Sequence, residues 1–137
     1  MPFEELPHKN LIFTFLCNVY ISQSSFFRTY GGTGNDFGES VILTSDSSYL
    51  VVGATESFGN GVTDLYVFKV DSSGNYIWSN KYGGFESESA RRVMHQSNFG
   101  FFLAGYTNSM GNGAYDFYLV KTDENGIKEW EKTYGTD

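Results

Sequence analysis

Four residues stand out for the chemistry they offer: Glu86, Glu88, Arg91 and Arg92 bring two carboxylates and two guanidiniums within seven positions. Paired carboxylates can divide the roles of acid and base, and glycoside hydrolysis needs two of them facing each other across a substrate. Alternation along an extended strand puts Glu86 and Glu88 on one side, so the spacing gives no such opposed pair. The expectation is a ligand contact rather than catalysis. His8 and His95 are the only histidines, and neither has a partner at metal-ligand spacing. Cys17 is the lone cysteine, which excludes an intrachain disulfide and a cysteine-based zinc site. No metal and no cofactor are expected.

The elements that position this cluster are repeated. Residues 26–77 lie over 78–129 without a gap, and sixteen of the 52 positions are identical. The identities fall where a turn or a packed strand would need them, so they report architecture. Tyr30-Gly31-Gly32 recurs as Tyr82-Gly83-Gly84, and Tyr134-Gly135 begins a further copy. Gly53 matches Gly105, Asp64 matches Asp116, and Gly74 matches Gly126. Trp78 and Trp130 stand one period apart, with Phe26 at the same place in a first, partial unit. The repeat domain is accordingly residues 25–137, with repeats 26–77 and 78–129 and a partial copy at 130–137. Glu86, Glu88, Arg91 and Arg92 depart from their counterparts Gly34, Asp36, Glu39 and Ser40, which is why they are the candidate ligand contacts.

Each period contains four strand-like runs rich in β-branched and aromatic residues: 37–44, 49–55, 65–70 and 75–82, then 89–96, 101–107, 117–122 and 127–134. "SFGNG" and "SMGNG" connect the second run to the third, and "DSSGN" and "DENGI" the third to the fourth. Such Gly- and Asp-bearing segments suit tight hairpins. Asp64, Asp116, Asp71 and Asp123 are read as turn caps rather than calcium ligands, because none lies in a dense oxygen-ligand loop. Lys69 and Lys121 are read as snorkelling strand residues or partners of a repeated Asp. Trp78 and Trp130 are read as packing residues rather than a sugar platform. "GGTG" at 31–34 precedes no helix and has no accompanying lysine, so it is a joint between units, not a phosphate loop.

A four-stranded meander cannot bury both its faces, and repeated meanders solve this by stacking around an axis. Residues 26–137 resemble the roughly fifty-residue β-propeller repeats of secreted and cell-surface proteins sometimes called SBBP-type repeats. The segments "GNGVTDLYVFKVDSSGNYIWSNKYGG" and "GNGAYDFYLVKTDENGIKEWEKTYG" carry the resemblance. It implies an all-β fold of four-stranded antiparallel blades and a non-enzymatic role in binding, adhesion or scaffolding. Two repeats plus one extra strand at 26–30 make an incomplete propeller, since closure takes about four blades or more. Open blade faces then invite self-association. The alternative is a fragment or accessory module of an extracellular hydrolase.

Charge narrows the partners. The formal net charge is −7 and the pI about 4.7, which disfavours nucleic acid. The expected partner is a protein or glycan outside the cell, or another copy. "LIFTFLCNVYI", residues 11–21, is too short to span a bilayer and suits a signal-peptide core, with Ser22 and Ser24 spaced for cleavage. Glu4 and Glu5 run against that reading, and a degenerate strand of a preceding repeat is the alternative for residues 1–24. Secretion or display at the cell surface is the expectation.

Overall fold

The computed structural model describes residues 25–112 and 114–135. The leader expected at 1–24 lies outside them. Eight strands follow in order: β1 (Asp36–Leu43), β2 (Tyr49–Thr55), β3 (Asp64–Val70), β4 (Tyr76–Tyr82), β5 (Glu88–Gln96), β6 (Gly100–Thr107), β7 (Asp116–Thr122) and β8 (Lys128–Tyr134). They form two antiparallel four-stranded sheets, β1-β2-β3-β4 and β5-β6-β7-β8, with no helix among the described residues. The chain is all-β, and its two sheets are the blades of an incomplete, propeller-like stack.

The two blades share one register. Leu50, Val52 and Ala54 of β2 face Lys69, Val67 and Leu65 of β3. One period later Phe102, Ala104 and Tyr106 of β6 face Lys121, Leu119 and Phe117 of β7. The innermost strands carry a bulge at the same place, between Gly38 and Ser40 in β1 and between Ala90 and Arg92 in β5. Across from each bulge the backbones come very close. A β-carbon on Gly53 would lie 1.7 Å from the Phe37 carbonyl oxygen, and one on Gly105 would lie 1.8 Å from that of Ser89. Only glycine fits such an approach.

The third turn of each blade is held by its aspartate. Asp71 accepts from the amides of Ser73 and Asn75, each at 2.8 Å, and Asp123 does the same for Asn125 and Ile127. Gly74 and Gly126 sit in the left-handed region with φ of 76° and 74°, which lets those hairpins close. Asp64 caps the preceding loop, accepting from the Gly61 amide at 3.0 Å. Turn capping thus occupies Asp64, Asp71 and Asp123.

The core lies between the blades. Leu50, Val52, Leu65 and Val67 of the first pack with Ala90, Phe101, Leu103, Tyr118 and Val120 of the second. Tyr82 closes the outer edge, donating to the Gly126 carbonyl at 2.5 Å, while Trp78 packs on the cluster near Phe101. Apolar burial of this extent supplies most of the stabilisation available to a domain of this size.

Residues 26–30 depart from the expected extra strand. They make no strand pairing, because the described residues provide no neighbouring strand on that side. They nonetheless hold the position such a strand would take: Tyr30 donates to the Gly74 carbonyl at 2.7 Å, one period before the Tyr82–Gly126 bond.

Candidate functional site

The structure separates the four residues that the sequence brings together. Glu88, the first residue of β5, is fully buried. It accepts from the Gly84 amide at 2.9 Å and the Thr107 hydroxyl at 2.6 Å, and so fastens the joint between β4 and β5. Its counterpart Asp36 does the same in the first blade, accepting from the Gly32 amide at 2.8 Å and from the hydroxyls of Ser57 and Thr55. Burial pushes the Asp36 carboxyl up, but these hydrogen bonds outweigh it and hold the group below its ordinary value. Glu86 is exposed in the loop before β5, where its carbonyl ties down Val62 and its amide donates to the Ser109 hydroxyl. One carboxylate is inside and the other outside, so the two do not face a common space.

Arg91 is the extra residue at the β5 bulge. Its guanidinium pairs with Glu39, the bulge residue of β1, and lies 5.3 Å from the Tyr106 ring centre. Arg92 is exposed and donates to the Arg91 carbonyl at 2.9 Å. Both arginines border a cavity of about 370 Å³ floored by Ala104, Tyr106, Phe117 and Leu119. That cavity lies on the face of the second blade directed away from the first.

Sequence reasoning missed Glu39 as the partner of Arg91. The signal was present: opposite charges stand at one repeat position, and stacked blades bring equal positions close. His95 rests on the Phe101 ring and bonds Glu124 at 3.0 Å. Lys69 pairs with Asp46 at 2.8 Å and Lys121 with Glu129 at 2.7 Å, neither with a repeated Asp. Among the described residues, no group of three or more His, Cys, Asp or Glu is placed to hold a metal, and no helix is long and apolar enough to cross a membrane.

The larger feature is a pair of open blade faces. Leu65 is fully buried, whereas Phe117 at the same repeat position is 74% exposed. Tyr82 is 7% exposed and Tyr134 52%. Met94 and Trp130 are likewise exposed on that outer face, Trp130 lying edge-on to Phe102. The first blade has the opposite face open. Val41 and Leu43 are exposed there, and a cavity of about 710 Å³ is lined by Tyr30, Phe58, Tyr66, Phe68 and Tyr76. The equivalent ground on the second blade is covered, Tyr118 and Val120 being packed against Leu65 and Val67.

No family model matches the chain. A curated relative, the regulatory protein FlaEY of Caulobacter vibrioides, is 27% identical over 124 residues. The match takes in 74% of this chain but spans only 13% of that protein's length.

Proposed function

We propose that the chain is a non-enzymatic β-propeller-repeat module of the SBBP type, which binds or scaffolds through its open blade faces outside the cell or at its surface. One observation carries the reading. Both end faces keep the apolar residues that the central interface uses, where a free-standing repeat stack ends in polar caps. Phe102, Ala104, Phe117 and Leu119 repeat the positions of Leu50, Val52, Leu65 and Val67, and none is charged. Exposed apolar ground of this kind marks an interaction surface. The placing outside the cell rests on the resemblance and on the apolar run at 11–21. The likeness to a regulatory protein fits a binding role and says nothing of the partner.

The test compares two face variants of the full chain with a control. Phe117→Asp and Val41→Asp put a charge on each open face; the control, Glu86→Ala, changes an exposed loop residue that lines neither open-face cavity. Light scattering and thermal melting should show association lost in the face variants with the fold retained, and both retained in the control. Association that survives both face charges rejects the faces as the working surface. Release of the full chain into the medium of an expressing cell tests the location separately.

A further inference from the structure

Resting on that reading, we infer that the partner on the open faces is a second copy of this chain, docked head to tail. Its Trp130 and Tyr134 would take the seat that Phe26 and Tyr30 now fill. The template is the interface between the chain's own two blades. There Trp78 lies against the turn at Gly126, its ring only 2.6 Å from where a β-carbon on that glycine would be, and Tyr82 donates to the Gly126 carbonyl. At the open end of the first blade Phe26 lies 2.5 Å from the corresponding point on Gly74, and Tyr30 donates to the Gly74 carbonyl. Phe26 and Tyr30 are therefore stand-ins for the outer strand of a preceding blade.

The second blade ends with that strand made and unused. Trp130 and Tyr134 occupy, in β8, the repeat positions of Trp78 and Tyr82, and both are exposed. Next to them Phe117 and Leu119 occupy the positions of Leu65 and Val67, the residues that cover Tyr118 and Val120 inside the chain. On the first blade the matching ground is the 710 Å³ cavity over Tyr66 and Phe68. A second copy's β7 thus finds a vacancy, and its β8 finds the seat taken.

The occupant is seated through side chains, Phe26 against Tyr49 and Tyr30 against Phe68. Residues 26–30 join no sheet, and Phe27 is 96% exposed. The incoming β8 is hydrogen-bonded along its length to β7 and arrives with its whole blade. Docking exchanges one stand-in for a complete strand at the same carbonyl. The contact is heterologous, so successive copies form a ring where the rotation closes, with two blades from each. About four to eight blades, or two to four copies, would complete it.

The stand-in makes two tyrosines of one repeat position act in opposite directions. Association of the full chain is measured by sedimentation velocity over a wide concentration range. A Phe26→Ala/Tyr30→Ala variant should associate about tenfold more tightly, and Tyr134→Ala about tenfold less tightly. Thermal melting checks that each variant stays folded, and Tyr134→Phe, which keeps the ring, should lose less than Tyr134→Ala. Weakening by both sets of changes would overturn the displacement, making 26–30 part of the interface, while leaving the faces as the binding surface. A parent and variants that stay monomeric at every concentration would overturn the second copy as occupant. That result would return the face to another protein or a glycan. Association that Phe117→Asp and Val41→Asp do not disturb rejects instead the reading on which this rests.

Discussion

Arg91 pairs with Glu39, the residue at its own position one repeat earlier. The two are the bulged residues of β5 and β1, so the bond joins the innermost strands of neighbouring blades at the one point where each strand carries an unpaired residue. Arg91 is half exposed and Glu39 about a third, which limits the worth of the pair. A double-mutant cycle with Arg91→Ala and Glu39→Ala should give a coupling of about 0.5 kcal/mol in denaturant unfolding at low salt, falling as salt rises. Coupling that is nil at low salt would show that the bond does not hold the blades.

The two glutamates of the cluster should behave as different kinds of residue. Glu88→Ala strips the Gly84 amide and the Thr107 hydroxyl of a fully buried acceptor. It should cost about 2–3 kcal/mol, the range for hydrogen bonds to a charged group left unmade. Glu86→Ala removes an exposed side chain and should change stability by less than about 0.5 kcal/mol. Urea unfolding of both variants decides it; equal losses would mean that Glu88 does not fasten the joint.

Much of the fold was legible because the repeat prints each structural demand twice. The strand 49–55 was placed to the residue, and the others to within a residue or so, since turns at Asp71 and Asp123 and glycines at 53 and 105 recur at fixed spacing. What escaped was set by stacking, which no local pattern encodes. Alternation put Glu86 and Glu88 on one side, but β5 begins only at Glu88, so the earlier residue belongs to a loop with no alternation to obey. Lys69 sits beside repeated aspartates in the chain, yet its ammonium reaches Asp46 in the first hairpin, where the second blade has Asn98. Lys121 therefore needs another anion and finds Glu129.

The bulge contacts lead to a backbone test. Gly53→Ala and Gly105→Ala each force a methyl into a carbonyl oxygen of the adjoining strand. Backbone cannot yield as a side-chain end can, so each should cost about 2–3 kcal/mol. Gly38→Ala is the control, since the nearest atom to its added carbon is a Val51 methyl at 3.8 Å. It should stay within about 1 kcal/mol of the parent. Four melting curves, the parent's included, suffice, and a mild Gly53→Ala would show that the close approach opens at little cost.

High pH should bear hardest on Tyr82 and Tyr118, with Tyr66 shifted in the same direction by its burial. Burial raises both phenols well above the ordinary tyrosine range; the charge of Asp123 adds to this at Tyr82, and the hydrogen bond and charge of Glu131 add to it at Tyr118. Unfolded tyrosine ionises near about pH 10. The folded pKa is raised, so below that pH both states keep these protons and their contribution to stability is whole. Above it the unfolded chain releases two protons that the folded chain retains, and stability must fall as pH rises. Denaturant unfolding from pH 8 to 11.5 should therefore show a steep alkaline decline. Tyr82→Phe should flatten it while costing only about 1 kcal/mol at neutral pH, because the Gly126 carbonyl keeps a second donor, Asn80 at 2.9 Å. Combining it with Tyr118→Phe should flatten the decline further. A double variant with the parent's alkaline slope would assign the loss to other groups.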